Sequence, residues 1–148
     1  MDLSDLIARN AAFSPHKPAL IFEGEVLGYC AFYERIEITA KALKAEFGIS
    51  RGDRVAILSL NRPDYLVLLY ACARLGAILV PLNWRLAVAE QMFILSDAAV
   101  KILVLEQAFA EILPALEATL PDTRVVGLDF APPPPGYAFD AQIGRAHV

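Results

Sequence analysis

Little in this chain carries chemistry outright. It has two cysteines, Cys30 and Cys72, lying far apart without ligand spacing, and a loop histidine, His16, with no cysteine or acid pair nearby. That pattern excludes a zinc site of ordinary spacing and leaves Cys72, inside an apolar run, as a core residue. A phosphate cradle needs closely spaced glycines feeding a helix, with a lysine and a serine or threonine. None of the eight glycines belongs to such a cluster. Basic residues never run together: 13 Lys and Arg against 17 Asp and Glu leave a net charge of −4 and a pI of about 5.1. This excludes a nucleic-acid footprint and electrostatic attachment to a membrane surface. No basic, apolar, small-residue leader is read at the start, so no secretion signal is expected. The longest nearly apolar stretch, residues 65–82, is interrupted by Arg74, Gly76 and Pro81. A membrane helix needs about 20 mostly apolar residues. The expectation is a cytoplasmic, reduced protein.

What the chain does have is apolar bulk: 57% of residues, against 20% charged. Ordinary domains run at about 45–50% on a slightly different residue set. The surplus asks for strands covered on both faces, or for surface that something else normally covers. Leu3, Leu6, Ile7 and Ala11 predict a helix over 3–12. Residues 19–23 and 26–29 flank Gly24 as a small hairpin. Phe32, Ile36, Ala40, Leu43 and Phe47 form one stripe of a helix over 31–47, stopped by Gly48. The run 54–60 suits a strand covered on both faces. Asp64 is placed to cap a helix reaching Leu75, with Tyr65, Leu69, Cys72 and Leu75 as its inner face. A second buried strand follows over 77–80, closed by Pro81, then a helix over 88–95 with Met92 and Leu95 inward. Strands at 101–105 and 123–127 bracket a helical segment, 106–120, broken near Pro114.

Alternation of strand and helix with short connections predicts an α/β fold: a mainly parallel sheet with flanking helices and right-handed crossovers, the hairpin standing apart. Residues 1–128 are expected to form one subdomain, and 129–142, with four prolines at 132–135, a loop or linker in which order falls off. The final residues, Ile143-Gly-Arg-Ala-His-Val148, read like the translation of a sequencing adapter. The natural chain is therefore expected to have been cut near Ala141, with 143–148 set aside.

Few residues are candidates for chemistry. Ser59 lies in a strand without the Gly-x-Ser-x-Gly elbow of a nucleophile. Asp53 and Arg54 read as a turn aspartate and a surface arginine. Asn61 and Asn83 follow apolar strands at their carboxyl ends, the edge at which open parallel sheets bind ligands. Asparagine also caps and turns for local reasons. Arg85 lies on the same edge, and its planar fork suits a phosphate or carboxylate; a plain surface arginine is the other reading.

Several short motifs add to this in order: Pro18-Ala-Leu-Ile21, Tyr29, Gly52-Asp-Arg-Val55, Asn61-Arg-Pro-Asp-Tyr65, Leu75-Gly-Ala77 and Val80-Pro-Leu-Asn-Trp-Arg-Leu86. In sequence and spacing they resemble the N-terminal subdomain of the AMP-forming acid–CoA ligases, the adenylate-forming superfamily. The Asn-Trp-Arg-Leu form is most similar to fatty-acyl and related bacterial acyl–CoA ligases. Gly28, in place of the family's usual threonine, and Ala31-Phe32, in place of Glu-Leu, depart from the first motif. The resemblance implies a parent enzyme that uses ATP, Mg2+ and coenzyme A to activate a small carboxylic acid. It also implies that the phosphate loop, the ATP- and magnesium-serving Thr-Glu, the ribose-binding aspartate and the catalytic lysine lie outside this chain. The fragment itself is then expected to have no catalytic residue, no metal site and no tight nucleotide binding, and its exposed apolar surface to favour self-association. Arg85 matches the arginine that in some relatives reaches the phosphates of coenzyme A. Against this reading stand a flavodoxin-like small-ligand module and a protein-interaction domain built around Trp84 and Tyr65.

Overall fold

The computed structural model describes residues 1–139; what is expected of 140–148, the adapter-like run included, lies outside the described residues. Helix α1 (Ser4–Phe13) and an antiparallel ribbon, β1 (Pro18–Phe22) with β2 (Glu25–Gly28), open the fold. The ribbon turns at Glu23 and Gly24, with φ of 50° and 81°. Two left-handed residues in a two-residue turn match the right-handed twist of the strands they join. Helix α2 (Tyr29–Phe47) then buries all five residues of the expected stripe. Gly48, at φ 63°, ends it in the left-handed conformation that glycine adopts without cost.

Among the described residues, five strands form the main sheet: β3 (Arg54–Leu58), β4 (Ile78–Pro81), β5 (Ile102–Leu105), β6 (Arg124–Gly127) and β7 (Tyr137–Ala138). Every neighbouring pair is parallel, in the order β4-β3-β5-β6-β7. Helix α3 (Pro63–Leu75) joins β3 to β4, α4 (Val88–Asp97) joins β4 to β5, and a 3-10 segment running into α5 (Leu113–Thr119) leads to β6. Successive side chains of a strand point to opposite faces. Val55, Ile57, Ile102 and Val104 therefore meet α2 and α3, while Ala56, Leu58, Leu103 and Leu105 meet α4 and α5. Burial on both sides explains why β3 and β5 are continuous apolar runs rather than alternating ones. Each large side chain so buried is worth roughly 1.5–3 kcal/mol. A third cluster, Ile7, Phe32, Ile36 and Val67, fastens the ribbon and α1 to the outside of α2 and α3.

Several expectations change in detail. β4 is an edge strand: Ile78 is 49% exposed, and Pro81 lies inside the strand opposite Ile57. An edge strand tolerates proline because its outward N–H has no ladder partner to lose. β3 ends at Leu58, short of Leu60. The buried face of α3 is Val67, Leu68, Ala71 and Cys72; of the expected stripe, Cys72 is among them, and Tyr65 and Leu75 pack partly buried against the sheet cluster. The helix is rotated because it packs on two clusters at once, the sheet and the ribbon side. Asp64 caps nothing with its side chain: Arg62 is the N-cap, Pro63 opens the helix, and the carboxylate turns to two arginines. The helical break falls at Phe109, while Pro114 sits in the first turn of α5, where proline is favoured. Finally, β7 has no counterpart among the strands expected from the sequence. It pairs with β6, and Phe139 beside it is buried.

Candidate functional site at the carboxyl edge of the sheet

Counted from β3, the strand order is 2-1-3-4-5, so helices change faces between β3 and β5. In doubly wound sheets the crevice beyond that switch point takes the ligand. Here the backbone beyond β3 is tied by side chains of the chain itself. Glu106, the first residue after β5, accepts the Leu60 N–H on Oε2 at 2.8 Å. The Glu106 N–H donates to the Leu58 carbonyl at 3.0 Å, and the Ser59 hydroxyl donates to the Leu60 carbonyl at 2.8 Å. The Leu60 N–H after β3 is thus taken by a carboxylate from the segment after β5, where a phosphate site would present unpaired N–H groups. Ser59 is a buried loop residue whose hydroxyl is tied to the backbone.

Beside it runs a line of alternating charges. Asp64 accepts from Arg35 Nη2 at 2.6 Å and from Arg62 Nε at 2.9 Å. Arg62 Nη1 lies 3.9 Å from Asp129 Oδ2, and Asp129 Oδ1 accepts the Gln107 N–H at 2.9 Å. α2, the start of α3, the segment after β5 and the loop after β6 are joined this way. Of these partners the sequence marked only Arg62 and Asp64, in the motif after β3 and, for Asp64, as a helix cap; Arg35, Glu106 and Asp129 were not singled out. A weak signal existed: Glu106 comes directly after an apolar strand and Asp129 two residues after one.

The turn after β4 is built differently. Asn83 Oδ1 accepts the Arg85 N–H at 3.0 Å, the side-chain-to-backbone turn that asparagine favours. Gln91 Nε2 reaches the Asn83 carbonyl at 3.4 Å, and Glu90 Oε2 accepts the Ala87 N–H at 2.8 Å, anchoring the start of α4. The Arg85 guanidinium lies 5.0 Å from the centroid of the Trp84 ring, and that ring lies 6.1 Å from Phe109 at a 33° tilt. Among the described residues, no carboxylate forms an ion pair with Arg85.

The structure therefore puts Asn61, Asn83 and Arg85 on one edge but joins only the last two. Asn61 faces a groove of about 300 Å³ against the ribbon, with Leu20, Phe22, Tyr65 and Leu66 among its walls. Asp53 is at the opposite edge, where Lys101 Nζ at 2.9 Å, with help from Ser50, holds its carboxyl below the usual range. His16 is exposed. Burial pushes the Cys72 thiol up to about 12, which makes it inert near neutral pH. Among the described residues, no three His, Cys, Asp or Glu side chains gather to hold a metal ion, and no helix is long and apolar enough to cross a membrane.

Comparison with known proteins agrees with this architecture. The chain is 38% identical over 146 residues to an indoleacetate–CoA ligase of Aromatoleum aromaticum, covering 99% of itself and 28% of that protein. It is 41% identical over 110 residues to a feruloyl-CoA synthase of an Amycolatopsis species, covering 74% of itself and 22% of the relative. A solved Mycobacterium tuberculosis fatty acyl CoA synthetase superposes with a TM-score of 0.80 at 32% identity, over 86% of this chain and 26% of that one. The chain thus spans roughly a quarter of the length of the curated relatives it matches. Because the model of the AMP-binding enzyme family matches residues 7–146, nearly the whole length, the chain belongs to that family.

Proposed function

We propose that this chain is the N-terminal portion of an AMP-forming acid–CoA ligase and serves it as scaffold. In the whole enzyme, the carboxylate oxygen of the acid attacks the α-phosphorus of ATP and pyrophosphate leaves. The thiol of coenzyme A then attacks the acyl carbon, giving up its proton, and AMP leaves. Relatives named for indoleacetate, ferulate and fatty acids suggest an aryl-substituted or fatty acid as substrate, met in the cytoplasm.

The described residues do not fit ATP or Mg2+ by themselves. Beyond β3 the Leu60 N–H is already taken by the Glu106 carboxylate, and among the described residues no three His, Cys, Asp or Glu side chains gather to hold a metal ion. No step of adenylation is assigned to them. They fit one anion: Arg85 is exposed, set in an ordered turn and unclaimed by any described carboxylate, which supports its reaching the phosphates of coenzyme A. Left alone, the chain self-associates through apolar surface such as Ile21, Val26, Ile78 and Phe93, each at least 49% exposed.

The observation that carries this reading is the family match over 7–146, on a chain about a quarter of the length of its relatives. Its test is acid-dependent ATP–pyrophosphate exchange. The full-length reading frame, given ATP, Mg2+ and a panel of fatty and aromatic acids, shows exchange, and the 148-residue chain shows none. Exchange by the short chain, or none by the long one with any acid, overturns it.

A further inference from the structure

An arginine on an exposed turn ordinarily samples many rotamers, and ordering it costs free energy. At Arg85 the surroundings restrict that sampling. Its backbone is fixed by the Asn83 carboxamide. Its guanidinium lies over Trp84 at 5.0 Å, within the range at which a ring face attracts a cation. The indole is seated in turn on Phe109. Phe109 packs against the cluster that Leu58, Leu103 and Leu105 form under α4 and α5. It is also the residue at which the 3-10 segment leaves helical dihedrals, at φ −112° and ψ 19°. A continuous line of contact thus runs from the apolar core through Phe109 and Trp84 to the guanidinium.

We propose that Trp84 is a positioning residue: seated on Phe109, it holds the Arg85 guanidinium outward at the carboxyl edge, set for the phosphates of coenzyme A. The inference rests on the reading of Arg85 given above. An aromatic face suits this task for a chemical reason. It attracts the cation but offers no strong acceptor, so the five guanidinium N–H groups stay available to an anion. A carboxylate at the same place would occupy them, as Asp64 occupies Arg62.

The test uses the full-length ligase and coenzyme A. Trp84→Leu keeps apolar packing on Phe109 but removes the ring face. The expected result is a KM for coenzyme A raised roughly two- to five-fold, the range a cation–π contact carries at an exposed site, with kcat little changed. Trp84→Phe restores most of the loss. Phe109→Leu, which unseats the indole without touching Arg85, moves the same KM in the same direction. Arg85→Ala raises it about ten-fold or more, as loss of charge-assisted hydrogen bonds requires. If Arg85→Ala leaves that KM unchanged, the reading of Arg85 fails and the inference goes with it. If Arg85→Ala raises it but neither Trp84→Leu nor Phe109→Leu does, only the inference is overturned. A Trp84→Leu enzyme that loses kcat as well, and is not rescued by phenylalanine, makes Trp84 merely structural and overturns it too.

Discussion

The turn after β3 and the turn after β4 sit on neighbouring strands at one edge of the sheet, and each carries an arginine. Arg62 in the first is bound to Asp64 and lies near Asp129; Arg85 in the second rests on an indole. Both arginines are ordered, but only one is consumed by the ordering. A carboxylate partner satisfies the guanidinium and joins elements together. An aromatic partner orients it and leaves its donors open. Residue type alone does not separate a structural arginine from a binding one; the partner does.

The contrast breaks first at Asp64. Asp64→Ala leaves Arg35 and Arg62 facing each other across a site where the lost side chain was only 13% exposed. We expect a loss of about 2–3 kcal/mol in stability, typical of a removed acceptor for charged donors, together with faster hydrogen exchange over residues 59–65. Unchanged exchange there would show that the first turn does not depend on its ions. Glu106→Ala comes next, at about 1 kcal/mol for one hydrogen bond, with its clearest mark in faster exchange of the Leu60 amide. Protection equal to the parent chain would mean that the Leu60 amide does not depend on this carboxylate. The smallest expected change is Arg85→Ala, whose stability stays within about 0.5 kcal/mol, as for surface sites without structural partners. A melting transition lowered as far as that of Asp64→Ala would erase the difference between the two turns.

Much of the fold was legible because it rests on periodicity. The α2 stripe, the two-faced strands β3 and β5, and the separate ribbon each follow from where apolar residues recur. Errors fell where a local pattern serves two neighbours. α3 packs on both the sheet and the ribbon side, so a single helical stripe misplaced its inner face. β4 carries an apolar run like β3's but lies at the sheet edge, and a sequence window does not record which strands have neighbours. At the site, Asn83 and Arg85 were visible as polar residues after a strand. Trp84 and Asp64 were named for other roles, an interaction surface and a helix cap; their pairing with Arg85, Phe109 and two arginines, and Glu106 altogether, were not legible, since most of these contacts join separate segments.

The sequence by itself determined the alternation of strands and helices, the parallel sheet and, through ordered short motifs, the family. Those depend on hydrophobic spacing and turn chemistry within a few residues of one another. Only the tertiary structure decided that, among the described strands, β4 lies at one end of the sheet and β7 at the other, and that one arginine is paired while the other is held open. Long-range contacts made those choices, because strand order and ion pairing depend on which distant segments come to share an edge.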